Sequence, residues 1–181
     1  MKISGFTLVR NGTQFDYPYL ESLRSMLSCV DELVINVGIG DDDTLARVRT
    51  FSEKEGQGKV IFFESDWQLQ NPEKKKGGLI LSEQTNLALE RCSHDWCLYL
   101  QADEVLHEAE LSLIRSSIEK QNPRTQVEGL LFDYVHFYGS YEVIQKSRSA
   151  YRREVRVVRK SSGARSVGDA QSFRKQDGSK L

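Results

Sequence analysis

The sequence predicts an α/β fold: a mostly parallel, Rossmann-like central sheet flanked by helices, followed by a mixed half of longer strands. Two observations carry this. Apolar residues switch between strand-like and helix-like spacing four times before the pattern changes. The early strand candidates are also short, nearly continuous apolar runs, as expected of parallel strands covered on both faces.

The elements follow in order. "ISGFTLV", Ile3 to Val9, reads as a strand. Leu20, Leu23, Leu27 and Val30 recur at helical spacing, which predicts an amphipathic helix over Tyr17 to Val30. "ELVINVG", Glu32 to Gly38, is the second strand, and Thr44 to Lys54 the second helix. "KVIFFES", Lys59 to Ser65, is the third strand. Leu81, Thr85, Ala88, Leu89 and Cys92 mark one face of a helix, and "WCLYL", Trp96 to Leu100, is the fourth strand. Leu111, Ile114 and Ile118 give another helix. "EGLLFDYVHFYG", Glu128 to Gly139, and "REVRVVRK", Arg153 to Lys160, read as later strands. One domain is expected, with a first half over about 1–108 and a second over about 109–181.

Composition narrows the function without naming it. The 181 residues suffice for one domain with a real core. A net charge of −1 provides no global field to recruit nucleic acid or an anionic membrane. No apolar run approaches the roughly 20 residues that span a bilayer, and the opening "MKISGFTLVRNG" lacks the apolar region of a signal peptide. Cys29, Cys92 and Cys97 are odd in number and fit no zinc or redox spacing, so reduced thiols in the cytoplasm are expected.

Right-handed crossovers place the carboxyl ends of the first four strands on one edge, where open α/β sheets bind ligands. That edge is polar. Arg10 and Asn11 follow the first strand, "GIGDDDT" the second, and Asp66 and Trp67 the third. A loop with Lys74, Lys75, Lys76 and the pair Gly77-Gly78 comes next, and Gln101, Asp103 and Glu104 follow the fourth strand. Acids, a divalent cation and a few bases together suit a nucleotide diphosphate.

Several segments, in order, carry a family resemblance: "GFTLVRNGTQFDYPYLESLRSML", "VDELVINVGIGDDDT", "GGLILSEQTNLALERCSHDWCLYLQADE", "LLFDYVHFYGSY" and "YRREVRVVRK". Together they resemble a family-2 glycosyltransferase with a GT-A fold, over Ile3 to about Arg174. The resemblance implies transfer of a sugar from a nucleotide-sugar donor to a hydroxyl of a carbohydrate or glycolipid acceptor, usually with inversion. It implies a divalent metal, Mg²⁺ or Mn²⁺, that stabilises charge on the leaving diphosphate, and a carboxylate that takes the acceptor proton. A cytoplasmic protein follows, with the inner face of the membrane as the alternative location. Members of the family usually extend beyond the point where this sequence ends, so a shortened carboxyl terminus is one expectation.

Carried over residue by residue, Asp103 matches the second acid of the family's Asp-x-Asp and is the expected metal contact, with Glu104 either a compensating second ligand or a plain acid at a helix start. Gln101 stands where the first aspartate would be; its amide could reach the ribose or a metal-bound water. Gly38 stands where the family has an acid against the nucleoside. Asp42 matches the acid that opens the next helix, and serves either the nucleotide or the helix N-terminus. Thr7, Val9, Arg10 and Asn11 are the expected base and ribose contacts. Lys76 represents the basic loop at the diphosphate, and Asn86 matches an asparagine beneath the metal site. Asp169 is the expected catalytic base, with Glu154 and Asp133 as alternatives, while His136 reads as a core histidine. Arg152, Arg153 and Arg156 could face an anionic acceptor, the diphosphate or solvent.

Three rival readings stand beside this one. Asp103 and His107 at i, i+4 could share a helix face and a hydrolytic metal, although a two-His motif is absent. A binding or scaffolding module could keep the fold without turnover. A nucleotidyltransferase would need a glycine-rich basic loop after the first strand, of which "VRNGTQF" is a poor version.

Overall fold

The computed structural model of the protein describes residues 1–74, 76–145, 151–170 and 172–181. Lys75, one of the three lysines of the basic loop, therefore lies outside the described residues.

The strands are β1 (Ile3–Val9), β2 (Glu32–Gly38), β3 (Val60–Ser65), β4 (Trp96–Tyr99), β5 (Gly129–Asp133), β6 (Phe137–Tyr138), β7 (Ser140–Ile144), β8 (Arg153–Arg159), β9 (Arg165–Val167) and β10 (Ser172–Arg174). The helices are α1 (Tyr19–Leu27), α2 (Thr44–Lys54), α3 (Leu79–Arg91) and α4 (Leu111–Gln121). A six-stranded sheet runs in the order β3-β2-β1-β4-β8-β5. β1 to β4 are mutually parallel, and β8 is antiparallel to both β4 and β5. The mostly parallel sheet flanked by helices is as the sequence predicts.

Burial explains the order. Every residue of β1, β2 and β4 is buried, so the centre of the sheet is covered on both faces. On one face α1, α2 and α4 pack Leu23, Met26, Val48, Phe51, Ile114 and Ile118 against Ile3, Leu33, Ile35 and Leu98. On the other, α3 and the β9–β10 hairpin bring Ala88, Leu89, Cys92 and Phe173 onto Phe6, Leu8, Tyr99 and Val158. All three cysteines are free and buried within these layers. No helix among the described residues is long and apolar enough to cross a membrane.

The expected long strand over Glu128 to Gly139 is instead broken after Asp133. Tyr134 turns its hydroxyl onto Glu104 at 2.7 Å, and the His136 ring meets the Tyr151 carbonyl at 2.6 Å. Tyr134 N still donates to the Arg152 carbonyl at 3.0 Å, and these side-chain bonds accompany the end of the strand. The small hairpins β6–β7 and β9–β10 do not show in the periodicity because strands of two to five residues carry little of it.

The chain leaves β1 for β2 and β3 on one side and returns to β4 on the other. The order therefore reverses between β1 and β4, and such a reversal opens a crevice at the carboxyl ends of the strands.

Candidate active site

A cleft of about 330 Å³ lies at that reversal. Val9 and Arg10 line it from the end of β1, Tyr99 from β4 with Gln101, Ala102 and Asp103 from the turn after it, and Asp169 and Ala170 from the β9–β10 turn. Phe15, Tyr17 and Trp67 form an aromatic wall, with Leu8, Leu69 and Leu81 beside them. Of the residues singled out in the sequence, Val9, Arg10, Gln101, Asp103 and Asp169 are thus brought together.

Asp103 keeps its outer side in solvent. Crowding by the surrounding protein, aided by the neighbouring Glu104 charge, pushes its carboxyl above the ordinary range, against the pull of Arg156. Glu104, expected beside it on a metal, is occupied otherwise. Its carboxylate accepts bonds from Arg156 Nη2 at 2.7 Å and Nε at 2.9 Å, from the Gln101 amide at 3.0 Å and from the Tyr134 hydroxyl at 2.7 Å. Arg156 is accordingly turned into the protein rather than toward an acceptor or solvent. Arg153 pairs with Asp133 at 2.6 Å on the exposed strand edge, which accounts for that alternative base as an ion-pair residue.

Other expected contacts form the frame of the cleft. Thr7 is buried and donates to the Leu100 carbonyl at 2.7 Å, tying β1 to the end of β4. Asn11 takes a left-handed backbone, φ 51°, which asparagine tolerates. Its amide oxygen accepts from Asp41 N at 3.0 Å and its nitrogen donates to Gln14 at 2.8 Å. Asp42 accepts from the Thr44, Thr13 and Gln14 amides at 3.0, 3.0 and 2.9 Å. Burial alone would raise its carboxyl, but these bonds outweigh it and hold the group below its usual range. Asp42 thus joins the start of α2 to the turn after β1. Asn86 donates to the Ser166 carbonyl at 3.0 Å and accepts the Ser166 amide at 2.8 Å, holding β9 on α3.

That hold positions Asp169. Phe173 of the same hairpin meets the Tyr99 and Phe6 rings edge-on at 5.4 and 6.2 Å. The turn itself packs on the basic loop. A Cβ on Gly78, where φ is 71°, would lie 2.4 Å from Asp169 Cα. Lys76 stands exposed on this loop, and Lys74 is paired with Glu83 at 2.7 Å. Gly78→Ala is expected to lower stability by about 1–3 kcal/mol, because both the clash and the positive φ must be absorbed. Denaturant melts should show the drop; an unchanged midpoint would contradict the close approach.

Phe15 and Tyr17 were not singled out in the sequence, and Trp67 only by its place after the third strand. A Cβ on Gly38 would lie 2.6 Å from the Trp67 indole nitrogen. Gly38, which the resemblance sets where an acid was expected, is therefore covered by an aromatic ring, and a side chain there would force the ring to shift. The indole N–H is buried without a partner. Isolated aromatics at loop positions carry no period, so the only signal was their place after strand ends.

The hydrolytic-metal reading does not fit. Gln101 to His107 do not form a helix, so i, i+4 spacing does not align Asp103 with His107. His107 instead accepts the Ala109 amide at 3.2 Å. No cluster of three potential metal ligands occurs among the described residues. The Asp103 carboxylate at the cleft nevertheless fits the way Mg²⁺ is commonly held, by one or two carboxylates together with substrate phosphates.

No family model matches the chain, and no curated protein matches it. Solved structures do. Staphylococcus aureus TarS 1–349 in complex with UDP superposes with a TM-score of 0.55 at 16% identity, covering 83% of this chain and 40% of TarS. Its complex with UDP-GlcNAc gives 0.52 at 18% identity, over 83% and 39%. The fold is that of GT-A-like glycosyltransferases. Mannosyltransferase PcManGT from Pyrobaculum calidifontis, in complex with GDP-Man and Mn²⁺, gives 0.51 at 13% identity, over 71% and 34%. The chain thus spans about 40% of the length of the TarS chain it matches. In the GT-A-like frame, the cleft between β1 and β4 is the crevice at the carboxyl ends of the strands, walled by apolar and aromatic residues around Arg10, Gln101, Asp103 and Asp169.

Proposed function

We propose that the chain is a family-2 glycosyltransferase, or the donor-binding core of one, moving a sugar from a nucleotide diphosphate to an acceptor hydroxyl with inversion. The carrying observation is the meeting of Asp103 and Asp169 in one cleft at the β1/β4 reversal of a GT-A-like sheet.

In this reading Val9, Arg10 and the aromatic wall take the nucleoside. Gln101 bonds the ribose, and Arg10 and Lys76 meet the diphosphate. Asp103 would hold the divalent cation; when bound, that cation supplies positive charge to the departing diphosphate. Asp169 orients the acceptor hydroxyl and removes its proton as the sugar–phosphate bond breaks. Asn11, Asp42 and Asn86 support these groups from behind. Glu104 acts on the site through the turn it holds rather than as a ligand. The half over about 1–108 then serves the donor and that over about 109–181 the acceptor, in a cytoplasmic protein.

The test is calorimetric titration with UDP and GDP, with and without Mn²⁺, in wild type and Asp103→Ala. Metal-dependent binding that the variant loses supports the reading; no binding in wild type sinks it. Asp169→Asn should bind nucleotide as wild type does while transfer falls by about 10²–10⁴-fold. Full-rate transfer would remove Asp169 as base. Glu154 is then next, because burial raises its carboxyl and the Asp169 and Glu104 charges add to this, against Arg156.

One observation favours a second reading. With Gln101 neutral and Glu104 engaged, a single free acid remains at the end of β4, which suits a module that binds nucleotide without turnover. Donor hydrolysis at no more than the uncatalysed rate, with intact nucleotide binding, would select that reading.

A further inference from the structure

Arg156 is an extra residue in its strand. Leu130 pairs with Val157 and Leu131 with Val155, so β8 bulges at Arg156. Bulges re-aim a side chain, often beside a site. Here the guanidinium is turned inward until only 1% of the side chain is exposed. It lies 5.4 Å from the Tyr99 ring and 5.2 Å from the Tyr134 ring.

The Glu104 carboxylate gathers two parts of the molecule. Its partner Gln101 N belongs to the turn that carries Asp103, and the Glu104 amide closes that turn on the Gln101 carbonyl at 3.1 Å. Tyr134, its third partner, follows β5 and packs with His136 and Tyr151, ring centroids 5.6 and 5.0 Å away. Stability alone is a weak reason for such a pair, since apolar residues of similar volume often do as well. Geometry is a better one. A planar fork fixes both oxygens of a carboxylate, which a point charge does not.

We propose that Arg156 is a positioning residue: through Glu104 it sets the Gln101–Asp103 turn and ties that turn to the Tyr134–His136–Tyr151 wall on the acceptor-side half. The effect on ligand binding rests on the transferase reading. The placement of the turn rests on the side-chain geometry alone.

The test is the double variant Glu104→Gln/Arg156→Met, which removes both charges together and keeps an acceptor at position 104. Amide hydrogen exchange reads the turn directly, and Mn²⁺-dependent titration with UDP and GDP reads its consequence. Exchange at the Gln101 and Glu104 amides should accelerate at least about tenfold while β1 and β2 amides stay slow. Metal-dependent nucleotide affinity should fall about 10–100-fold, the usual range for a partner behind a metal ligand. A folded double variant with wild-type exchange in the turn overturns the proposal. If the double variant does not fold, Arg156→Lys, which keeps the charge and loses the fork, is read by the same two measurements: faster turn exchange supports the positioning role, and wild-type exchange overturns it. If wild type binds no nucleotide, the transferase reading fails, and turn exchange still decides for or against the positioning role.

Discussion

Asp103→Asn is expected to be more stable than wild type at neutral pH in the absence of metal, and to lose metal-dependent nucleotide binding by at least about tenfold, or 1.4 kcal/mol. The stability half follows from linkage. Desolvation and the adjacent Glu104 charge raise the Asp103 carboxyl above its unfolded value. A group raised in this way contributes its stability below the unfolded pKa, about 3.9 for aspartate, and loses it as pH rises through the folded value. At pH 7 the ionised Asp103 is therefore a net cost to the fold, and asparagine removes that cost at nearly constant shape. Melting temperatures of the two proteins should converge near the unfolded pKa and separate above the folded one. The binding half follows from the cleft: Asp103 is exposed there, while both Glu104 oxygens are spoken for. An asparagine variant no more stable at pH 7 would show that the carboxylate is not under strain. One that still bound nucleotide with Mn²⁺ as tightly as wild type would remove Asp103 as the anchor. Both expected results together describe a site whose destabilising charge is kept for a ligand.

The parts of this molecule differ in how plainly the sequence displays them. β1, β2 and β4 were legible because burial on both faces writes itself as continuous apolar residues. α2 came out at its observed bounds, Thr44 to Lys54, because one apolar face repeats through it. α1 is shorter than its apolar spacing suggests, starting at Tyr19 after Pro18 and ending at Leu27. The cleft's location was legible from topology, since strand ends in an alternating fold converge on one edge.

What each polar residue does there was much less legible. Asp103 and Glu104 are adjacent acids of one turn, yet one faces the cleft and the other a buried arginine. Nothing in "QADE" separates them, because the difference is made by Arg156, 52 residues away and re-aimed by a bulge. Thr7, Asn11, Asp42 and Asn86 were in the right neighbourhood for a ligand. Much of their hydrogen-bond capacity goes instead to backbone groups far off in sequence, a use that depends on tertiary contacts. Gly38 and Trp67 show the converse. An apparent deficiency at the end of β2 is room for a ring from the end of β3, and that pairing becomes visible only when the two strand ends lie side by side.

Arg156→Ala alone should be among the most destabilising single changes in the protein, at about 3–5 kcal/mol. The figure is not the worth of the ion pair. Removing the guanidinium leaves the Glu104 carboxylate, 11% exposed, facing the Tyr99 and Tyr134 rings with only the Gln101 amide and the Tyr134 hydroxyl to replace a charged fork. Truncation also opens space between those rings, which adds a cavity cost. In wild type the opposing forces are visible on the arginine itself. Burial disfavours its charge, but bonding and attraction to Glu104 outweigh burial and raise its pKa. The comparison with Glu104→Gln/Arg156→Met separates the two contributions. If the double variant recovers most of the loss in denaturant melts, the stranded charge caused it, and the wild-type pair is worth little to the fold despite the severity of the single change. If it recovers none, packing of the guanidinium between the aromatic rings carries the stability, and Arg156 holds the fold as well as the turn.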